Sequence, residues 1–194
     1  MAKKESTFLN MVLTLFLVTL VEAGLLGSVY TLTKEPIRLA ELKRKNEAIR
    51  MVVPAFDNEP TQEVAKKYVD GDTLYFYTAR KGDEVNGIAV ETFTNEGFRG
   101  KFKLMVGFKP DGTILDIAVI SHAETPGLGD KMEQDKSDFS TQFKGKDPAT
   151  FKLSVKKDRG DVDAITASTI TSRAYCDAVQ RAYDAFMNLS SSDF

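Results

Sequence analysis

Tryptophan is absent from this 194-residue chain, and histidine and cysteine occur once each, as His122 and Cys176. One of each excludes an internal disulfide, a Cys-x-x-Cys redox pair and any metal site built from several Cys or His ligands. The lone thiol leaves the redox compartment open. It falls beside an apolar stripe and reads as core packing, although a Cys/His nucleophilic pair is formally possible. Neither sign of charge is in excess: 26 Lys and Arg against 28 Asp and Glu leave a net charge of −2. That balance supplies no basic face, so no nucleic-acid partner is expected. Nucleotide fingerprints fail as well. Met132 occupies the third glycine position after Gly127-Leu128-Gly129, and Gly145-Lys146 is followed by Asp147 instead of Ser or Thr. Carboxylates are plentiful but show no spacing that singles out a hydrolytic pair.

What is present begins with a long apolar run. Phe8 to Leu32 carries no charge except Glu22 and follows Lys3-Lys4. At about 1.5 Å per residue such a helix covers the roughly 30 Å hydrocarbon core with length left for tilt. A signal peptide is the rival reading, but the apolar character resumes after Glu22 and no small-x-small site closes a short core. The expectation is an uncleaved anchor over 1–33, in contact with membrane lipid. Basic residues flank both ends, so charge alone leaves the orientation open. Glu22 would cost at least a few kcal/mol within the apolar layer. Two readings stand for it: snorkelling at an interface, or facing a partner subunit or polar pathway.

Pro36 to about Val53 has the composition of a helix, rich in Leu, Lys, Glu and Arg, with Pro in its first turn and Pro54 at its end. It reads as an exposed stalk over 34–54. Residues 55–194 suffice for one core and discourage a two-domain reading. Alternation at Leu74-Ala79, then Asn86-Gly87 before Ile88-Val90, predicts two strands and a turn. A stronger hairpin joins Phe102, Leu104, Val106 and Phe108 to Leu115, Ile117 and Val119 through Lys109-Pro110-Asp111-Gly112. Such alternation suits an antiparallel sheet with one covered face. Tyr175, Val179, Ala182, Tyr183 and Phe186 recur at helical spacing and would cover it, giving an α+β domain.

Two loops carry candidate chemistry. Thr166-Ala167-Ser168-Thr169 is a hydroxyl-rich turn between extended Val162-Ile165 and the terminal helix. With Thr171 it places hydroxyls at a helix start, where unpaired N–H groups and the macrodipole favour an anion. Ser and Thr are also ordinary caps, and spacing alone does not decide. His122-Ala-Glu-Thr-Pro-Gly-Leu-Gly-Asp-Lys131 is a polar, Gly-rich excursion after a strand, where either a ligand loop or a plain surface crossover would sit.

Together the two loops, in this order, resemble the paired signatures of the FMN-binding domain in the G subunit of Rnf complexes, whose sister is the C subunit of sodium-translocating NADH:quinone reductases. The resemblance covers the amino-terminal span and nearly the whole soluble domain. It implies a membrane-anchored redox subunit, not a complete catalyst alone, that partners the other membrane and redox subunits of a complex coupling ferredoxin:NAD⁺ electron transfer to ion movement. The C subunit itself, or a non-redox tethered binding or assembly module, are the alternative readings. The flavin domain is implied on the outer face of the bacterial cytoplasmic membrane.

The resemblance further implies that a flavin transferase moves FMN from FAD onto the last Thr of a Ser/Thr-Gly-Ala-Thr motif, here Thr169, as a phosphoester. Thr166, Ala167, Ser168, Ile170 and Thr171 surround it. Ala167-Ser168 replaces the usual Gly-Ala, making the turn less permissive. By the same resemblance Glu124, Thr125, Gly127, Leu128 and Gly129 lie against the flavin, Leu128 offering an apolar contact and Thr125 a hydrogen bond. His122 would hold the loop or touch the flavin; Lys131 would approach the flavin or phosphate, or lie in solvent.

Overall fold

The computed structural model describes residues 7–62 and 64–189. Lys3 and Lys4 lie outside the described residues. Two compact units divide between Lys43 and Arg44. In the first runs most of α1, a helix spanning Phe8–Val52. Its apolar window has a mean hydropathy of 2.1, and among the described residues it is the one helix long and apolar enough to cross a membrane. The helix runs on through Pro36, where the sequence suggested the start of a separate stalk. A proline in a helix removes one N–H donor and crowds the preceding turn; the good helix formers on both sides carry the helix past it.

The second unit is built on a meander of five antiparallel strands in the order β1-β2-β3-β4-β5. They are β1 Val64–Val69, β2 Asp72–Lys81, β3 Glu84–Thr94, β4 Phe102–Phe108 and β5 Ile114–Ser121. The β4–β5 hairpin closes as its turn chemistry predicts. Lys109 N donates to Thr113 O at 2.9 Å, and Gly112 takes φ 90°. The β2–β3 turn differs from expectation. It lies at Gly82-Asp83, with Gly82 at φ 62°, while Asn86 and Gly87 are inside β3. Gly87 serves packing: a Cβ there would sit 3.3 Å from Val53 Cγ1.

Alternation sends Leu74, Phe76, Leu104, Val106 and Phe108 to one face, against α2, the helix Thr169–Met187. Burying each large side chain contributes about 2–3 kcal/mol. Tyr175, Val179, Ala182 and Phe186 are buried, as the stripe predicts, and Phe108 stacks on Phe186 with ring centroids 5.0 Å apart. Thr92 Oγ1 donates to Ala178 O and Thr94 Oγ1 to Asp177 Oδ2, which pins α2 along β3.

The other face is covered too, contrary to the expectation of one covered face. Ala48, Ile49, Val52 and Val53 pack on Tyr77, Ala79, Ala89, Met105 and Ala118. The final turns of α1 therefore bury one face, Ala48, Ile49 and Val52, in the core and leave Asn46, Glu47, Arg50 and Met51 exposed. Small residues on this face let the helix backbone come close; a Cβ on Gly107 would fall on the Val52 carbonyl. Within this layer lies Glu91, 3% exposed, whose carboxylate meets Lys45 Nζ at 2.8 Å and Lys103 Nζ at 3.1 Å and accepts from Tyr77 OH at 3.1 Å. Burial pushes the Glu91 carboxyl up, but the two ammonium groups outweigh it and hold it below the usual range.

Candidate functional site

Although Val162–Ile165 reads as extended, it forms no named strand ahead of α2. Val162 makes only an isolated bridge to Val155. The approach to the helix is instead a tight turn: Ser168 N donates to Ile165 O at 3.0 Å and Ala167 takes φ 62°. Positive φ at the third position of a hydrogen-bonded turn is the type II pattern, which Gly or Asn ordinarily occupies. Buried Ser172 braces the turn from inside the helix. Its Oγ accepts from Ile165 N at 2.9 Å and donates to Ser168 O at 3.0 Å.

Ser168 stands at the N-cap with φ −134°, yet its side chain makes no capping bond. The ordinary-cap reading of this residue therefore fails. Thr169, the first helical residue of α2, is half-buried, and the first turn lines the adjoining cleft without a side-chain cap from Ser168.

That cleft, of about 290 Å³, is lined by Phe98, Glu124, Thr125, Leu128, Gly129 and the run Ala167–Thr171. Three large apolar side chains on its wall are exposed: Phe98 65%, Ile170 49% and Leu128 41%. Scattered exposed apolar residues need no explanation, but three meeting at one cleft form a surface suited to a flat apolar ligand. The fold thus joins the two loops singled out in the sequence, which lie far apart along the chain.

Glu124 is buried at the junction. Its Oε1 accepts from Arg99 N at 3.0 Å and its Oε2 from Thr171 Oγ1 at 2.9 Å. Its own N–H donates to His122 Nδ1 at 3.0 Å. An N–H donor at Nδ1 assigns the ring proton to Nε2, which faces Glu133 Oε1. Lys136 then bridges Glu133 Oε2 at 3.3 Å and Asp130 Oδ2 at 3.2 Å. Burial pushes the Glu133 and Asp130 carboxyls up, and these partners more than reverse it, leaving both below the ordinary range. The loop 122–131 is therefore held by an ionic network whose members, His122, Glu133, Lys136 and Asp130, do not line the cleft.

Of the residues the sequence nominated, Glu124, Thr125, Leu128, Gly129, Ala167, Ser168, Thr169, Ile170 and Thr171 line the cleft. His122, Gly127, Lys131 and Thr166 do not. His122 lines a separate groove with Arg44, Met51 and Gln134, and Gly127 turns the loop at φ 77°. Phe98 escaped the sequence reading. Its signal was the run Gly97-Phe98-Arg99-Gly100, an aromatic between glycines in a loop between two strands.

A family model described as the FMN-binding domain matches residues 97–184, a span that begins beside Phe98 and ends within α2. The chain is 37% identical over 182 residues to the G subunit of the ion-translocating oxidoreductase complex of Shewanella piezotolerans, covering 88% of this chain and 85% of that one. It is 37% identical over 168 residues to the protein of the same name from Vibrio atlanticus, covering 82% and 80%. With that of Vibrio vulnificus the identity is 35% over 185 residues, covering 91% and 87%.

Proposed function

The chain belongs to the G-subunit family of ion-translocating oxidoreductase complexes, and we propose that within an Rnf-type complex it is the membrane-anchored carrier of a covalent FMN attached to Thr169. The observation that carries this reading is the position of Thr169 at the uncapped start of α2, in the same cleft as three exposed apolar side chains. A flavin mononucleotide needs both surfaces: an apolar slot for the ring and donors for the phosphate.

The residues present fit that group. Phe98, Leu128 and Ile170 would flank the ring, with Thr125 as a polar contact, and the first-turn N–H groups of α2 would meet the phosphate charge. FMN, when bound, supplies the redox chemistry, and the protein places and shields it. Attachment is a phosphoryl transfer from FAD. The Thr169 hydroxyl oxygen bonds to the phosphorus nearer the flavin, the pyrophosphate bond breaks, AMP leaves, and the hydroxyl proton passes to a base of the flavin transferase.

The protein relays electrons and does not complete a catalytic cycle alone. In the proposed setting the complex couples ferredoxin:NAD⁺ electron transfer to ion movement. α1 holds the domain at the outer face of the cytoplasmic membrane, in lipid and beside its partner subunits. Tethering raises the effective concentration of those partners without a strong soluble interface.

The test is coexpression with the transferase, followed by denaturation, in-gel flavin fluorescence and intact mass. Wild type should carry a mass adduct equal to one FMN less one water, which Thr169→Val lacks. Wild type without an adduct, under conditions where the transferase modifies a known substrate, would refute the covalent reading.

A further inference from the structure

Three segments make the cleft, and one side chain touches all of them. The β3–β4 loop brings Phe98, the 122–129 loop brings Leu128, and the first turn of α2 brings Thr169 and Ile170. Glu124 accepts from the backbone N–H next to Phe98, at 3.0 Å, and from Thr171, two residues past Thr169, at 2.9 Å. Its own backbone is fixed by His122. Two glycines flank the carboxylate: a side chain on either would crowd it, and one on Gly97 would also run into the Gly100 carbonyl. A Cβ on Gly97 would lie 2.8 Å from Glu124 Oε1, and one on Gly129 would lie 2.5 Å from Oε2 and 2.9 Å from Thr171 Oγ1.

We infer that Glu124 is a positioning residue: it fixes the spacing of the three cleft walls and acts on the flavin through them, not through its charge. This rests on the flavin reading of the cleft. Both carboxylate oxygens are engaged by protein donors, and a buried donor that loses such an acceptor is costly. Removing the side chain strands the buried Thr171 hydroxyl and leaves the part-buried Arg99 N–H without its acceptor. Among the described residues, no second hydrogen bond ties the Phe98 loop to the start of α2.

The chemistry predicts which substitution is tolerated. Glutamine keeps the length and offers one acceptor and one donor. Its oxygen can take the Arg99 N–H, which cannot turn away. Its NH₂ can donate to Thr171 Oγ1, because a hydroxyl rotates to accept. Alanine can do neither, and Thr171→Val removes one of the two contacts while keeping the shape.

The full-length chain would be prepared as wild type, Glu124→Gln, Glu124→Ala and Thr171→Val, each with and without the transferase. Amide hydrogen exchange over residues 97–100 and 125–129 is read on the unloaded chain; the visible circular dichroism and midpoint potential of the flavin are read on the loaded one. Exchange in both segments should rise at least tenfold in Glu124→Ala and Thr171→Val, and the flavin dichroism should fall by at least half. Glu124→Gln should match wild type in all three. Unchanged exchange in Glu124→Ala overturns the inference, as does a potential shift in Glu124→Gln as large as that in Glu124→Ala, which would mean the charge itself acts on the ring. Should Glu124→Ala fail to fold, Thr171→Val decides the matter alone: unchanged exchange sinks the inference and faster exchange supports it. A wild-type chain without flavin would overturn the flavin reading and leave the exchange result to judge the pin.

Discussion

Ala167 holds the left-handed backbone, at φ 62°, two residues before Thr169, the first residue of α2. A Cβ is strained in that conformation by about 1–2 kcal/mol, while glycine adopts it freely at some entropic cost in the unfolded chain. Ala167→Gly should therefore stabilise the chain by about 1 kcal/mol net, raising Tm by about 3 °C for a protein of this size. Thermal unfolding of the full-length chain checks it. The same variant puts a permissive residue at the turn that leads into Thr169. Under the proposed covalent attachment, flavinylation of this variant by the transferase, followed by intact mass over time, should be faster than that of wild type. A slower reaction would mean that the strained turn helps to present Thr169.

Glu91 should be the most costly single truncation on the α1-covered face. It is buried with Lys45 and Lys103 around it, so Glu91→Ala leaves two ammonium groups facing each other without their counter-charge. Breaking such a pair from one side costs about 3 kcal/mol. Denaturant unfolding in detergent would show it as a lower midpoint. The pH dependence has a definite sign. Because the folded carboxyl titrates below its unfolded value, its contribution is fully present above about pH 4.5 and is lost as pH falls through the lower folded value. Wild type should lose stability faster than Glu91→Ala in that acid window.

Much of this was legible in the sequence because it obeys short-range rules. Lys109-Pro110-Asp111-Gly112 states its own turn, and the stripe from Tyr175 to Phe186 states its own buried face. β1 went unread, although Asp70-Gly71, both at positive φ, is a strong hairpin signal. Val64–Val69 carries two lysines and lies at the sheet edge, where alternation is weak. The second covered face was illegible for a different reason. Ala79, Ala89, Gly107 and Ala118 look like poor strand residues until a helix backbone is laid on them. The cleft was half legible: its two loops announced themselves by composition, whereas Phe98 belongs to it only through the pairing of β3 with β4.

Cys176 should be inert in the folded chain. Burial pushes its thiol up to about 12, with the neighbouring Asp158 and Asp177 acting in the same direction. At pH 8 the thiolate fraction is then on the order of 1 in 10,000, and the thiolate is the reactive species. Iodoacetamide at pH 8 should leave the native protein unlabelled over an hour and label it fully in guanidinium, read by intact mass. The linkage sign follows. The folded state favours the neutral thiol, so that contribution is present below the unfolded value near 8.5 and declines as pH rises toward 12. Tyr77, raised by burial beside Glu91, shifts stability in the same direction.

Two glycines on the α1 face make a paired test of how closely the helix lies on the sheet. At Gly107 an added Cβ falls on the carbonyl of Val52, a backbone group that can move only with the helix end. At Gly87 the neighbours are 3.2 Å to Leu115 Cδ1, 3.3 Å to Val53 Cγ1 and 3.3 Å to Phe108 O, two of them side-chain tips that can yield. Overpacking against fixed atoms costs about 1–3 kcal/mol. Gly107→Ala should sit at the top of that range and Gly87→Ala at or below its foot, by chemical denaturation. Gly107→Ala should also speed amide exchange over residues 48–53, because the last turns of α1 must lift for the methyl to fit. Equal costs at the two positions would mean that the helix end already has room to move, and that its tie to the sheet is carried by Lys45 and Glu91 instead of by close backbone packing.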